Sequence, residues 1–210
     1  MDLPASILTG DLIRSTSLSG TMLDDAFEGL ADAASEIAAW TADTPAGFHS
    51  TRFTRSRGDG WQIILFSPRL VLRSALYLRA SLRRLGHSVD TRIAIATGIA
   101  DSGLGSDLNS AVGPAFVESG RKLDDMREPA TMAHVDGGPM AAVVRLADYI
   151  SQGWTEAQAK AMYHMLWPSG RTRNSAARAI GVSRQAVDQA LASAGYHALK
   201  DAMNLIEADG

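Results

Sequence analysis

The apolar pattern of this chain changes character once, near residues 136 to 140, and that change limits the architecture more than any single motif. Before it, short β-rich runs alternate with segments of helical periodicity. The runs Ala5 to Leu12, His49 to Arg55, Trp61 to Ser67, Thr91 to Ile99 and Ala130 to Val135 read as strands. Between them, Leu23, Phe27, Leu30, Ala34, Ile37 and Ala38 recur at steps of three and four, which predicts a helix over residues 22–40 with Thr21 as its N-cap. A second helix runs from Pro68 through Leu72, Leu76 and Leu82 to a stop at Gly86, and a third covers Ala115 to Met126. Asp59-Gly60 between two strand-like runs signals a tight hairpin. After Gly137-Gly138-Pro139 only helical periodicity remains. The expected fold class is therefore α+β, with helices over one face of a mainly antiparallel, ferredoxin-like sheet in residues 1–138 and an all-helical module in 139–210.

Composition narrows the function classes. With 46% apolar residues the chain has material for a real core. The absence of cysteine removes disulfide frameworks, thiolate nucleophiles and Cys-ligated metal sites together. No run approaches the roughly 18 consecutive apolar residues of a membrane span, and Met1-Asp2-Leu3-Pro4 lacks the basic start of a signal peptide, so a cytoplasmic protein without membrane contact is expected. The net charge of −3 excludes a polycation that coats nucleic acid. Any contact with DNA must come from a local patch.

Such a patch is present. In Arg173-Asn174-Ser175-Ala176-Ala177-Arg178-Ala179-Ile180-Gly181-Val182-Ser183-Arg184-Gln185-Ala186-Val187, a small residue is followed four positions later by Gly. That is the spacing of a helix-turn-helix, expected over residues 173–192. Ala177 would let two helices approach, Gly181 would take the left-handed turn conformation, and Ile180, Val182, Val187 and Leu191 would fill the shared core. Ser183 is placed to cap the second helix. Arg184, Gln185, Asp188 and Gln189 then fall on the face that a recognition helix presents to base edges, with Arg171 and Arg173 nearby for phosphates. Arg171 to Ala192 holds four Arg and one Asp, the reverse of the balance in the complete chain. His164, Trp154 and Trp167, upstream, read as core or interface groups.

Two carboxylates stand out in the first part: Asp11 at the end of the first strand and Asp59 at the hairpin tip. Each alone is equally a strand-end or turn residue. Together they could converge on Mg²⁺ or Mn²⁺, since hard cations prefer carboxylate and phosphate oxygens. The loop through Arg14, Ser15 and Thr16 could offer backbone N–H groups to a phosphate, with Arg14, Arg55 or Arg57 adding charge. This points to a nucleotide or another phosphorylated small molecule.

The run Gly10-Asp11-Leu12-Ile13-Arg14-Ser15-Thr16, the Arg57-Gly58-Asp59-Gly60 hairpin, the strand Arg92-Ile93-Ala94-Ile95-Ala96-Thr97-Gly98-Ile99 and the segment Gly113-Pro114-Ala115-Phe116 occur in this order. The combination resembles the class III nucleotidyl cyclase homology domain, and within it the SatD-like branch, in which such a domain precedes a helix-turn-helix. The resemblance implies that Asp11 and Asp59 stand at the two metal-binding aspartate positions and Arg121 at the arginine that stabilises the transferring phosphate. It also exposes departures: Val117 stands where the family has an asparagine, Ser110 where it has a base-selecting aspartate, and Arg55 where it has a base-selecting lysine. Cyclisation requires charge stabilisation at the attacked phosphoryl group and placement of the sugar hydroxyl, so a site lacking these groups is expected to bind rather than catalyse. The expectation is a regulator of transcription that binds double-stranded DNA as a homodimer on a palindromic operator. The alternative is an active cyclase converting a purine nucleoside triphosphate to a cyclic nucleotide.

Overall fold

A computed structural model describes residues 2–40, 51–56, 58–101, 103–105 and 107–208. Five strands and eight helices follow in the order β1 (Asp2–Leu12), α1 (Gly20–Ala39), β2 (Arg52–Arg55), β3 (Gly60–Leu65), α2 (Val71–Arg83), β4 (Thr91–Asp101), α3 (Pro114–Asp125), β5 (Met132–His134), α4 (Gly138–Gln152), α5 (Glu156–Met165), α6 (Arg173–Ile180), α7 (Arg184–Ser193) and α8 (Tyr196–Ala208). The sheet order is β2-β3-β1-β4-β5. The first four strands pair antiparallel, and β5 joins β4 in parallel. The first six elements thus form a β-α-β-β-α-β unit of the split type, with β5 added at one edge and α3 laid over β1 and β4. The α+β class is as expected. Of the expected strand His49 to Arg55, residues before 51 lie outside the described residues.

Helices cover both faces of the sheet, where the sequence suggested one. Leu8, Leu12, Trp61, Ile63, Ile93 and Ile95 pack with α1 and α2, whereas Ala5, Ile7, Ile64 and Ala96 pack under Ala115 and Phe116 of α3. The physical reason lies in β1, which is buried without interruption from Ala5 to Gly10. A strand covered on both sides cannot show apolar–polar alternation. The cap of α1 also differs: Ser19, not Thr21, accepts the Met22 N–H through its hydroxyl at 3.2 Å, because the helix begins at Gly20. Pro68 opens a short 3₁₀ turn, and α2 starts three residues later, at Val71.

All thirteen residues of α2 are buried, including Arg73, Arg79 and Arg83. One side of this helix meets α1 and β4, and the other meets α4 and α5. Its arginines therefore reach across to the C-terminal helices. Arg79, fully buried, donates to Asp148 Oδ1 at 3.0 Å, Ser151 Oγ at 2.7 Å and Thr131 Oγ1 at 2.7 Å. Arg73 forks onto both carboxylate oxygens of Glu207 and donates to the Leu166 carbonyl. Arg83 donates to the carbonyls of His87 and Gln152. A single apolar cluster runs from Leu8 in β1 to Met203 in α8. Among the described residues no helix is long and apolar enough to cross a membrane.

Two expected outcomes follow from this packing. Asp148 is also fully buried and accepts from the Thr131 amide and hydroxyl. Burial raises its pKa, but Arg79 and Thr131 outweigh that and hold the carboxyl below its ordinary value. Its stabilisation is therefore complete above the unfolded pKa of about 3.9 and is lost as pH falls from there through the folded value. Asp148→Ala takes from Arg79 its hydrogen-bonded carboxylate, leaving it Asp90 at 3.5 Å from Nε, and should lower stability by up to about 3–5 kcal/mol in urea denaturation at neutral pH, with a smaller deficit at acid pH. At Gly10, a Cβ would stand 2.3 Å from the Trp61 ring and 2.5 Å from the Arg92 carbonyl. Gly10→Ala should then cost about 1–3 kcal/mol by overpacking, read in the same titration.

Candidate nucleic-acid interface and carboxylate site

The helix-turn-helix segment is built as its residue types dictate. Thr172 caps α6 in a reciprocal pair with Ser175. The helix ends at Gly181, whose φ of 78° and ψ of 31° place it in the left-handed region, and the amides of Gly181 and Val182 both bond the Ala177 carbonyl. Ser183 then caps α7 by accepting from the Ala186 amide at 3.1 Å. Ala176, Ala177, Val187 and Leu191 are buried where the two helices meet. Ile180 is half-buried, and Val182, expected in the shared core, is 45% exposed because it lies in the turn between the helices. Helix α5 closes the group by packing on both α6 and α7. Trp154 is buried and donates to the Ala194 carbonyl, while Trp167 and His164 are half-buried.

The α7 surface divides sharply. Arg184, Gln185 and Gln189 are exposed. Asp188 stands between two arginines: its Oδ1 lies 2.8 Å from Arg173 Nε, without the alignment of a hydrogen bond, and its Oδ2 lies 3.6 Å from Arg184 Nε. Thr172, Arg173, Asn174 and Arg184 line a notch of about 210 Å³ between the start of α6 and the start of α7. Arg171 points elsewhere, stacking over Trp167 at 4.1 Å and standing 3.8 Å from Glu36 of α1. Arg178, exposed on α6, is a basic residue of this module that the motif spacing did not single out.

At one end of the sheet the strand register sets the backbones of Asp11 and Asp59 side by side. Asp11 lies opposite Gly60, the residue after Asp59, and the Leu12 amide bonds the Asp59 carbonyl at 3.1 Å. On its other side Asp11 lies opposite Arg92, whose Nε and Nη2 donate to its two oxygens, the first at 2.9 Å. Asp59 accepts from the Ser15 hydroxyl. Asp11, and beyond it Asp59 and Asp124, hold the Arg92 guanidinium above its ordinary pKa against the effect of burial. Arg14 stands in the left-handed region with φ 54°, and its carbonyl accepts from the amide and hydroxyl of Ser17. Thr16 is exposed.

Arg55 and Arg121 have other surroundings. Arg55 lies over the Phe27 ring at 3.8 Å and the same distance from Asp24, against α1. Arg121 is exposed on α3, one turn before Asp124. Val117 is 48% exposed on the same helix, and Ser110 is exposed. Arg57 lies outside the described residues. Asp11 and Asp59 supply hard oxygen donors suited to Mg²⁺ or Mn²⁺, but among the described residues no third His, Asp or Glu completes a metal-holding group. A cation here would compete with Arg92 for Asp11, and the remaining ligands would come from phosphate and water. Arg92 is the participant that motif reading missed, since only the β1–β4 register places it on Asp11.

No family model matches the chain, and no curated protein matches it. Among solved structures, the crystal structure of the guanylyl cyclase Cya2 matches with 18% identity over 59% of this chain and 71% of that one, at a TM-score of 0.38.

Proposed function

We propose that this protein is a DNA-binding regulator of transcription that reads duplex DNA through α7, acts as a homodimer, and carries a phosphorylated-ligand site at the Asp11–Asp59 end of its sheet. The observation that carries the reading is the exposed first half of α7, capped by Ser183 and set at the left-handed turn of Gly181, with Arg184, Gln185 and Gln189 turned outward. A helix held this way presents its N-terminal side chains to a major groove. The notch at the start of α6 supports the same reading, since Thr172, Arg173 and Asn174 offer donors beside a helix N-terminus where a backbone phosphate would sit. One such module makes few base contacts, so a second copy on a palindromic site, with half-sites about 34 Å apart or a multiple of that, is part of the proposal.

At the sheet end, Asp11 and Asp59 would hold Mg²⁺ or Mn²⁺ together with a nucleotide phosphate, and Arg14, Ser15, Thr16 and Arg92 would face the phosphate. Bound metal there would supply charge neutralisation. Because the sheet and the C-terminal helices share one core, a ligand favouring one dimer arrangement would shift DNA affinity, typically by about 5–150-fold, and DNA would shift ligand affinity by the same factor. Cyclisation is the competing activity. Val117 and Ser110 have no charged group to offer a base or a transferring phosphoryl group.

Gel-shift measurements on DNA upstream of the protein's own gene test the main claim. Arg184→Ala and Gln185→Ala should each weaken specific binding by about 1–3 kcal/mol, and loss of a phosphate contact at Arg173 should flatten the salt dependence by roughly one unit. Unchanged binding in all three variants would remove α6–α7 from the interface. Incubation with ATP or GTP and either cation should give no cyclic nucleotide. Turnover abolished by Asp11→Ala and Asp59→Ala would establish the enzyme instead.

A further inference from the structure

Arg184 and Asp188 stand one turn apart on α7, and Arg173 approaches the same carboxylate from α6. Three features of this group bear on what the helix recognises. First, Arg184 is the opening residue of α7, directly after the Ser183 cap, and its side chain is 63% exposed. Second, Asp188 lies nearest to Arg184 on the Nε side, as an ion pair at 3.6 Å rather than a hydrogen bond. Third, the other oxygen of Asp188 lies 2.8 Å from Arg173 Nε, so the carboxylate sits between one arginine from each helix of the motif.

A carboxylate one turn away on the Nε side draws a guanidinium toward one orientation before any ligand arrives. That orientation favours presenting the pair of parallel N–H donors on the guanidinium's outer edge. In a major groove, the acceptor pair that matches such a fork is O6 and N7 of guanine, the commonest partner of arginine in direct readout. The carboxylate has a second effect. A negative charge beside Arg173 and Arg184 repels DNA phosphates and reduces the sequence-independent part of binding. Both effects widen the gap between the right site and all others.

We infer that Arg184 reads a guanine in each half-site, and that Asp188 is a specificity-determining residue which positions Arg184 and disfavours non-specific DNA rather than contacting a base itself. This rests on the proposed DNA-binding role and names its partner chemistry. Specificity is a difference of affinities, and here one residue acts on both sides of the difference.

The experiment uses the full chain and a random-sequence duplex pool, from which bound duplexes are selected and sequenced. The selected half-site should contain an invariant guanine. Its replacement by adenine, or by 7-deazaguanine, which lacks only the N7 acceptor, should weaken binding about 5–150-fold. Arg184→Lys keeps the charge but not the fork, and should lose that discrimination while retaining most affinity for random duplex. Asp188→Asn should bind random duplex more tightly than the parent and show at least a fivefold smaller ratio of specific to non-specific affinity. In the Arg184→Ala background, Asp188→Asn should no longer alter guanine discrimination, because the two residues act as a unit. Circular dichroism melts of each variant establish that it is folded. A consensus without guanine, or guanine discrimination that survives in Arg184→Lys or Asp188→Asn, overturns the inference while leaving DNA binding intact. Failure to enrich any duplex overturns the DNA-binding reading as well.

Discussion

The Arg79–Asp148 pair is the interaction on which the rest of the structure depends. Both side chains are fully buried, and neither could be tolerated there alone, since an unpaired interior charge costs several kcal/mol. Arg79 belongs to the helix between β3 and β4, whereas Asp148 belongs to the first helix beyond the sheet. Each therefore specifies where the other's half of the chain must sit. Thr131, Ser151 and Arg145 add further hydrogen bonds to the pair, so the register of α4 along α2 is set by directional bonds as well as by apolar area. An apolar contact alone would permit α4 to slide. This one does not.

The same principle extends toward the α6–α7 motif. Glu36 of α1 accepts from the hydroxyls of Tyr77 in α2 and Tyr163 in α5, and Arg171, two residues before α6, approaches the same carboxylate. Tyr77 and Tyr163 are stacked with centroids 4.5 Å apart, and Trp40 packs edge-on against both Tyr77 and Trp167. Burial, with Glu36 adding to it, pushes the Tyr163 hydroxyl up to about 12, so it remains a donor at any physiological pH. At the far end of the chain, Arg73 grips Glu207 of α8. With Arg83 on the Gln152 carbonyl of α4, the C-terminal helices are thus keyed to the sheet half at four or more separate polar points among the described residues. A motif held so firmly can transmit a change in the sheet half as a displacement of α7, which is the physical requirement of the ligand coupling proposed above.

How much of this was legible in the sequence depends on the range of the forces involved. Gly181 and Ser183 were readable because a left-handed turn and an N-cap are decided by a residue and its immediate neighbours. The strand and helix order was readable for the same reason, since apolar periodicity is a local record of burial. What escaped was set by partners far along the chain. Leu72, Leu76 and Leu82 mark α2 as a helix with an apolar face, but nothing in its own sequence says where Arg73, Arg79 and Arg83 go. They are interior because Glu207 and Asp148, separated from Arg73 and Arg79 by 134 and 69 residues, come to meet them. Likewise Asp11 was identifiable as a candidate site residue, but its ion pair with Arg92 follows from a strand register spanning 81 residues. Helical spacing places Asp188 on the outer side of α7, but its neighbour Arg173, reaching over from α6, is visible only in the fold.

The most direct test of the account is hydrogen–deuterium exchange on the full chain, free and with a saturating duplex. The account predicts slow exchange along all of α2 in both states, because that helix can open only when the shared core opens. It predicts added protection on DNA at the two helix starts, residues 172–175 and 183–189, with the outer face of the sheet unaffected. Fast exchange in α2, with the C-terminal helices opening independently of the sheet, would contradict the shared core. Protection by DNA that appears around Asp11 and Asp59 and is absent from α7 would contradict the assignment of the DNA-reading surface.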